Sequence, residues 1–249
     1  MLAYATGENI GANIDSGFRA FKISKVAGPA DGTEGMRRNV NRVANTREQI
    51  GSQAELMLDC WMAFDVEYAV RLGEALRPYN VKWLEDMLTP EDFDAFEQVR
   101  KRLPWQTLAA GEHWYTTYPF QYAASHRLVD IFQPDIQWVG GLTAIVKICA
   151  IAEAANISVI PHAGGNTPYG QHACHALSAI PWAEYYIGSP PGVPLEHQQV
   201  VSGQPSAIRA ASSDLNLGGA VPLKGRLKPK EGPGFGVDVD PDVFPILTI

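Results

Sequence analysis

Seven residues define the chemistry open to this 249-residue chain: Lys22, Asp59, Glu85, Glu112, Asp135, His162 and Glu184. Lys22 and Glu184 stand within short apolar runs and the others at or just past the end of one, and from Asp59 onward they follow one another at intervals of 26, 27, 23, 27 and 22 residues. An apolar strand that ends in a carboxylate holds a charge at the edge of the core, which is costly unless the charge is paired or coordinated. Three consecutive runs ending this way, at Asp59, Glu85 and Glu112, would crowd three negative charges together, which is unfavourable without a cation. Oxygen ligation with room for water and substrate suits Mg²⁺ better than zinc, which favours His and Cys. Taken singly, each carboxylate could equally cap the helix that follows it. Repetition across three adjacent units favours a metal triad.

Asp135 and His162 end the next two runs, in Gln133-Pro134-Asp135 and Ile160-Pro161-His162. Neighbouring strand ends can bring a carboxylate to an imidazole, fix its tautomer and raise the basicity of the other ring nitrogen. His162 is therefore the candidate general base and Asp135 its partner. Lys22 is suited to neutralise a substrate carboxylate or a metal ligand, with a plain surface lysine as the alternative. Lys22 and Ser24 share one strand face, and Lys25 is expected on the other if the strand continues. Glu184, if protonated, could donate a hydrogen bond to developing oxyanion charge; a simple salt bridge is the alternative. His172-Ala-Cys-His175 has a metal-like look, but it falls in an expected helix without a second ligand cluster, so zinc is not expected there.

The elements that must position these residues are legible as an alternation. Apolar runs lie at Leu2–Thr6, Arg19–Ser24, Glu55–Asp59, Val81–Glu85, Thr107–Gly111, Val129–Gln133, Ser158–Pro161 and Ala183–Ile187. Between them, Val66, Ala69, Val70, Gly73 and Leu76 recur at helical spacing behind a candidate cap, Asp65. Leu142, Ile145, Ile148, Cys149 and Ala152 do the same, and Met36–Ile50 and Asp92–Arg102 are further helix candidates. Eight strands separated by helix-length segments predict parallel βα units closed into a TIM-type α/β barrel. Such a barrel brings all its strand tips to one mouth. An open doubly wound sheet would show a glycine-rich phosphate turn after an early strand, and none is present. Residues 1–197 are expected to form the barrel, and 198–249, richer in Gly, Pro and Ser, an extension that wraps it or pairs with another domain. Ala220–Leu223 and Phe235–Val239 are strand-like pieces of that extension.

Composition narrows the partners. Twenty Lys and Arg against 27 Asp and Glu leave a net charge of −7, which argues against nucleic acid or an anionic membrane surface. No run approaches a membrane span of about 18 residues, and three cysteines form no disulfide framework, so a cytoplasmic location is expected. Oligomeric state is left open, a homo-oligomer included.

These segments resemble the enolase superfamily, in its mandelate racemase-like branch, and within it the acid-sugar dehydratases. Leu58-Asp59-Cys60-Trp61-Met62, Lys82-Trp83-Leu84-Glu85-Asp86, Ala110-Gly111-Glu112-His113, Gln133-Pro134-Asp135 with Gly140-Gly141-Leu142-Thr143, Ile160-Pro161-His162 and Pro181-Trp182-Ala183-Glu184 carry the likeness. So does Pro233-Gly234-Phe235-Gly236-Val237 near the end of the chain. The resemblance implies Asp59, Glu85 and Glu112 as Mg²⁺ ligands, His162 as acid/base, Asp135 as its partner and Glu184 as the electrophilic group. It also places His113 beside the metal, near the substrate. The implied activity is dehydration of a sugar acid to a 2-keto-3-deoxy acid by removal of the proton α to the carboxylate. A racemase, epimerase or cycloisomerase on the same scaffold, and an inactive metal-binding piece, are the alternatives. Racemases of this branch carry Lys-x-Lys on the second strand; here Lys22-Ile23-Ser24 lacks the second lysine, which favours dehydration. The family's N-terminal α+β capping domain is expected to be absent, because the chain starts at what reads as the first barrel strand.

Overall fold

The computed structural model describes residues 1–187, Leu195 and 219–236. Eight parallel strands, β1 Leu2–Thr6, β2 Ala20–Ser24, β3 Glu55–Asp59, β4 Leu84–Glu85, β5 Leu108–Ala110, β6 Ile131–Phe132, β7 Ser158–Val159 and β8 Trp182–Tyr186, form one curled sheet. Their order is β7-β6-β5-β4-β3-β2-β1-β8. The helices α1 Ile10–Asp15, α2 Gly32–Ile50, α3 Val66–Leu76, α4 Phe93–Arg102, α5 Tyr118–His126, α6 Gly141–Ala155 and α7 Pro168–Ala176 fill the crossovers. This is the expected α/β barrel of TIM type. No ladder joins β7 to β8 among the described residues; a backbone bond from Val159 N to Ala179 O, 2.9 Å, links β7 to the turn before β8.

Side-chain alternation builds two separate cores. Residues facing out from the sheet, such as Ala3, Leu56, Leu58, Leu108 and Phe132, pack with the apolar stripes of the helices. Those facing in, Tyr4, Ala20, Met57, Trp83, Ala109, Ile131 and Ile160, fill the barrel with Trp182 against them. The helices start where the sequence offers caps. Asp65 Oδ1 accepts from Tyr68 N at 2.7 Å, Asp92 Oδ1 from Ala95 N at 3.0 Å, and Thr167 Oγ1 from Gly170 N at 3.2 Å.

Two expectations are corrected here. Strands β4 to β7 are shorter than their apolar runs; β4, for example, keeps only Leu84–Glu85 of Val81–Glu85. The piece Ala220–Leu223 forms no strand: Leu223 and Arg226 make a bridge with each other, and Arg226 a second one with Leu2. Of Phe235–Val239, the last three residues lie outside the described residues, as does the expected boundary at 197/198. Residues 219–236 pack on the barrel itself. Met1 N donates to Leu227 O and Ala3 N to Gly225 O, both at 2.9 Å, and Ala220 is held by both amide atoms of Gln171 on α7.

Candidate active site

Period two carries each inward core residue to an inward polar one at the barrel mouth. Tyr4 leads to Thr6, Ala20 to Lys22, Met57 to Asp59, Trp83 to Glu85, Ile131 to Gln133 and then Asp135, Ile160 to His162, and Trp182 to Glu184. Glu112 breaks the count, since it lies three residues after Ala109. Gly111 absorbs the difference: its φ of +136° is a conformation that suits glycine, and an added Cβ would press on Phe120 at 2.9 Å and Gln133 N at 3.2 Å.

Together Lys22, Asp59, Glu112, His113, Asp135, His162 and Glu184 line one cavity of about 710 Å³, with Trp61, Trp138 and Tyr169 on its walls. Glu85 lies beneath it, 1% exposed. One Glu85 oxygen takes the Lys22 ammonium; the other accepts from Trp83 Nε1 at 2.9 Å and Gln133 Nε2 at 2.7 Å.

Lys22 is the centre of the floor. Besides Glu85, its ammonium reaches Glu184 Oε1 at 2.8 Å and Asp59 Oδ2 at 3.5 Å. It is 1% exposed, and its three protons face three protein carboxylates. Of the two roles expected of Lys22, the structure shows the second, a counter-ion to the carboxylates expected as metal ligands, because the desolvated groups around it need that charge. Glu184 likewise takes the second of its two expected roles, the salt bridge. Burial pushes its pKa up, but the charges of Lys22 and His162 and bonds from Lys22 and Thr6 outweigh burial and hold it at about 2. Its oxygens accept from Thr6 Oγ1 at 2.5 Å and Ala163 N at 2.9 Å. An ionised acceptor has no proton to donate to an oxyanion.

The other carboxylates respond oppositely. Burial, only partly offset by Lys22, raises Asp59 to about 6 and Glu85 to about 7. Burial likewise raises Glu112 to about 7 against the pull of His162. The ligand atoms that gather within 4.8 Å of one another belong to Asp86, Glu112 and His113. His113 Nδ1 stands 3.5 Å from both Asp86 Oδ2 and Glu112 Oε1, and the nearby Asp86 carboxylate pushes the imidazole pKa up. Among the described residues Asp86 Oδ2 is buried without a hydrogen bond. A surplus of desolvated carboxylate oxygens, one of them unsatisfied, fits a hard divalent cation held by oxygen. The expected ligands Asp59 and Glu85 stand on adjacent strands, paired in register, and both incline toward Lys22.

His162 meets Asp135 as the sequence suggests. Its Nδ1 lies 2.8 Å from Asp135 Oδ2, while Asp135 Oδ1 accepts from Gln137 N at 2.7 Å and Trp138 N at 3.1 Å. Nε2 then faces Glu112 Oε2 at 3.6 Å. Burial lowers the imidazole pKa, but the bond to Asp135 and the charges of Glu112 and Glu184 overcome it and carry His162 to about 10. The Trp138 indole lies against both imidazoles, with ring centroids 5.5 Å from His113 and 5.7 Å from His162.

Thr6, Asp86, Gln133 and Trp138 were not singled out as site residues from sequence. Thr6 and Gln133 carry a usable signal, the step of two from an inward core residue. Asp86 and Trp138 carry none that separates them from a cap or a core aromatic. Lys25 departs from the alternation because β2 stops at Ser24; the residue turns to the cavity wall rather than away from it. His172 and His175 gather no metal-binding cluster among the described residues, and His172 Nε2 faces Phe235 O at 3.2 Å.

A barrel whose strand tips present carboxylates beside a His–Asp pair defines the class. The chain matches the Enolase C-terminal domain-like family over residues 6–243 and belongs to that family. It is 38% identical over 244 residues to the L-rhamnonate dehydratase of Saccharopolyspora erythraea, covering 98% of this chain and 59% of that protein. The crystal structure of rhamnonate dehydratase from Gibberella zeae complexed with Mg aligns with a TM-score of 0.79 at 31% identity, over 98% of this chain and 57% of that one. A racemase from Streptomyces coelicolor A3(2) with bound magnesium aligns with a TM-score of 0.64 at 28% identity, over 75% of this chain and 52% of that one. This chain thus spans less than two thirds of the length of these relatives.

Proposed function

We propose that this chain carries the catalytic barrel of a Mg²⁺-dependent hydro-lyase that dehydrates a sugar acid, an aldonate such as L-rhamnonate, to a 2-keto-3-deoxy acid. The observation that carries the reading is the single His162–Asp135 pair facing a carboxylate cluster, with Ser24 where a second-face lysine would stand. The likeness to L-rhamnonate dehydratases supports the substrate class. Mg²⁺, held by Asp59, Glu85 and Glu112, would supply positive charge to the substrate carboxylate and so lower the cost of removing the α-proton.

His162 takes that proton. Glu112 is among the charges that hold the imidazolium proton; a cation held by Glu112 would weaken that pull and leave Nε2 better able to accept. The C2–H bond breaks, its proton passes to His162, and its electron pair moves into the carboxylate. The imidazolium then returns the proton to the C3 hydroxyl, the C3–O bond breaks, and water departs. The enol left behind loses its hydroxyl proton and gains one at C3, giving the keto acid. Lys22 and Glu184 hold the floor together during these steps. His113 and Trp138 flank the substrate, and Asp135 keeps the imidazole in its working tautomer.

The test is a panel of sugar acids, L-rhamnonate first, assayed with Mg²⁺ for 2-keto-3-deoxy product. Deuterium incorporation at C2 with return of both epimers and no keto product would overturn dehydration in favour of racemisation.

A further inference from the structure

The cavity presents four carboxylates, those of Asp59, Glu112, Asp135 and Glu184, yet the proposed substrate is itself an anion. Lys22 does not balance them toward a ligand, since its ammonium is spent on Glu85, Glu184 and Asp59 below the floor. Lys25 is differently placed. The strand ends at Ser24, and Lys25 N donates to Asp59 O at 2.8 Å, which pins the residue between the tips of β2 and β3. It is half-buried on the cavity wall. Among the described residues its ammonium has neither an ion pair nor a side-chain hydrogen bond.

The backbone that follows Lys25 is also anchored from behind. Buried Asn39 of α2 accepts at Oδ1 from the two residues that follow, Val26 N at 2.8 Å and Ala27 N at 3.1 Å. Its Nδ2 donates to Ala27 O at 3.0 Å and to the Tyr68 hydroxyl at 3.1 Å. The loop that carries Lys25 is therefore built into the core rather than free to swing.

From this placement we infer that Lys25 is the anion-binding residue of the mouth, its ammonium taking a carboxylate oxygen of the α-hydroxy acid whose α-carbon faces His162. The inference rests on the sugar-acid reading above. An ammonium carried on a fixed backbone gives a charge-assisted bond without ordering the loop, and losing such a bond weakens binding by about tenfold.

The experiment compares Lys25→Met and Lys25→Arg with the unsubstituted protein, after circular dichroism has verified folding. Steady-state kinetics with L-rhamnonate and Mg²⁺ should show KM about tenfold higher in Lys25→Met, with kcat little changed and most of the loss recovered in Lys25→Arg. Titration of intrinsic tryptophan fluorescence adds a readout independent of turnover: L-rhamnonate should bind better than the neutral polyol L-rhamnitol, and Lys25→Met should erase the difference. Unchanged KM in Lys25→Met overturns the inference while leaving the dehydratase reading intact. So does a lost kcat at constant KM, which would put Lys25 in the chemical step. Absence of turnover in the unsubstituted protein, with the preference for acid over polyol present and lost in Lys25→Met, overturns the dehydratase reading and supports Lys25 as the anion site. No preference in the unsubstituted protein overturns the inference.

Discussion

At the scale of single residues, environment sets what each ionisable group can do. Asp135, Glu112 and Glu184 together outweigh burial and carry His162 to about 10, and one of these neighbours, Glu112, is also a proposed metal ligand. His162→Asn should lower kcat by about a thousandfold while Mg²⁺ binding, read by calorimetry, is retained; turnover near the original level would remove His162 from the mechanism. The carboxylates give a pH prediction. Asp59, Glu85 and Glu112 have native pKa values of about 6, 7 and 7, above their unfolded values. Their contribution to stability is thus present below about pH 4 and is lost as pH rises through 6 to 7. A cation selects their ionised forms, so Mg²⁺ affinity should climb between about pH 5 and 8 with release of protons. Calorimetry in buffers of different ionisation enthalpy measures that release, and affinity independent of pH over this range would contradict it. Glu184 runs the other way: its contribution is present above its unfolded value and is lost only as pH falls toward about 2.

At the scale of elements, strands aim the site and loops finish it. The step of two from Tyr4 to Thr6 or Met57 to Asp59 follows from the pleat alone, whereas Glu112 reaches the mouth only because Gly111 turns the chain. Asn39 does comparable work for the loop after β2, with four hydrogen bonds from one buried amide. Asn39→Ala leaves Val26 N, Ala27 N and Ala27 O without that partner and should destabilise the fold by about 3 kcal/mol. Chemical denaturation would show it as a lower midpoint at constant slope; a midpoint unmoved by the substitution would mean that water replaces the amide at little cost.

For the whole molecule, gathering several like charges at one mouth is a standing cost that a bound cation relieves. Mg²⁺ at a hundredfold excess over its dissociation constant should add about 2.7 kcal/mol to stability, which raises Tm by about 5 to 10 °C in a chain of this size. EDTA should reverse the rise, and a Tm indifferent to Mg²⁺ would speak against the metal centre. The packing of residues 219–236 on β1 and α7 belongs to this scale as well, since it joins the two ends of the described chain.

Much of this architecture is written locally. The apolar runs, the cap Asp65, and the intervals of 22 to 27 residues identify eight βα-like units and the polar residue on seven of their strands, Thr6 of β1 being the one missed, because pleat period and helix capping act over a few residues. What the chain could not state locally is which charges meet. That Lys22 would be consumed by Glu85, Glu184 and Asp59, that Glu184 would stay ionised, and that Lys25 would turn to the cavity where β2 stops were decided by the tertiary structure. The reason is electrostatic: a buried group's charge state depends on neighbours from other strands and on the water that closure of the sheet removes.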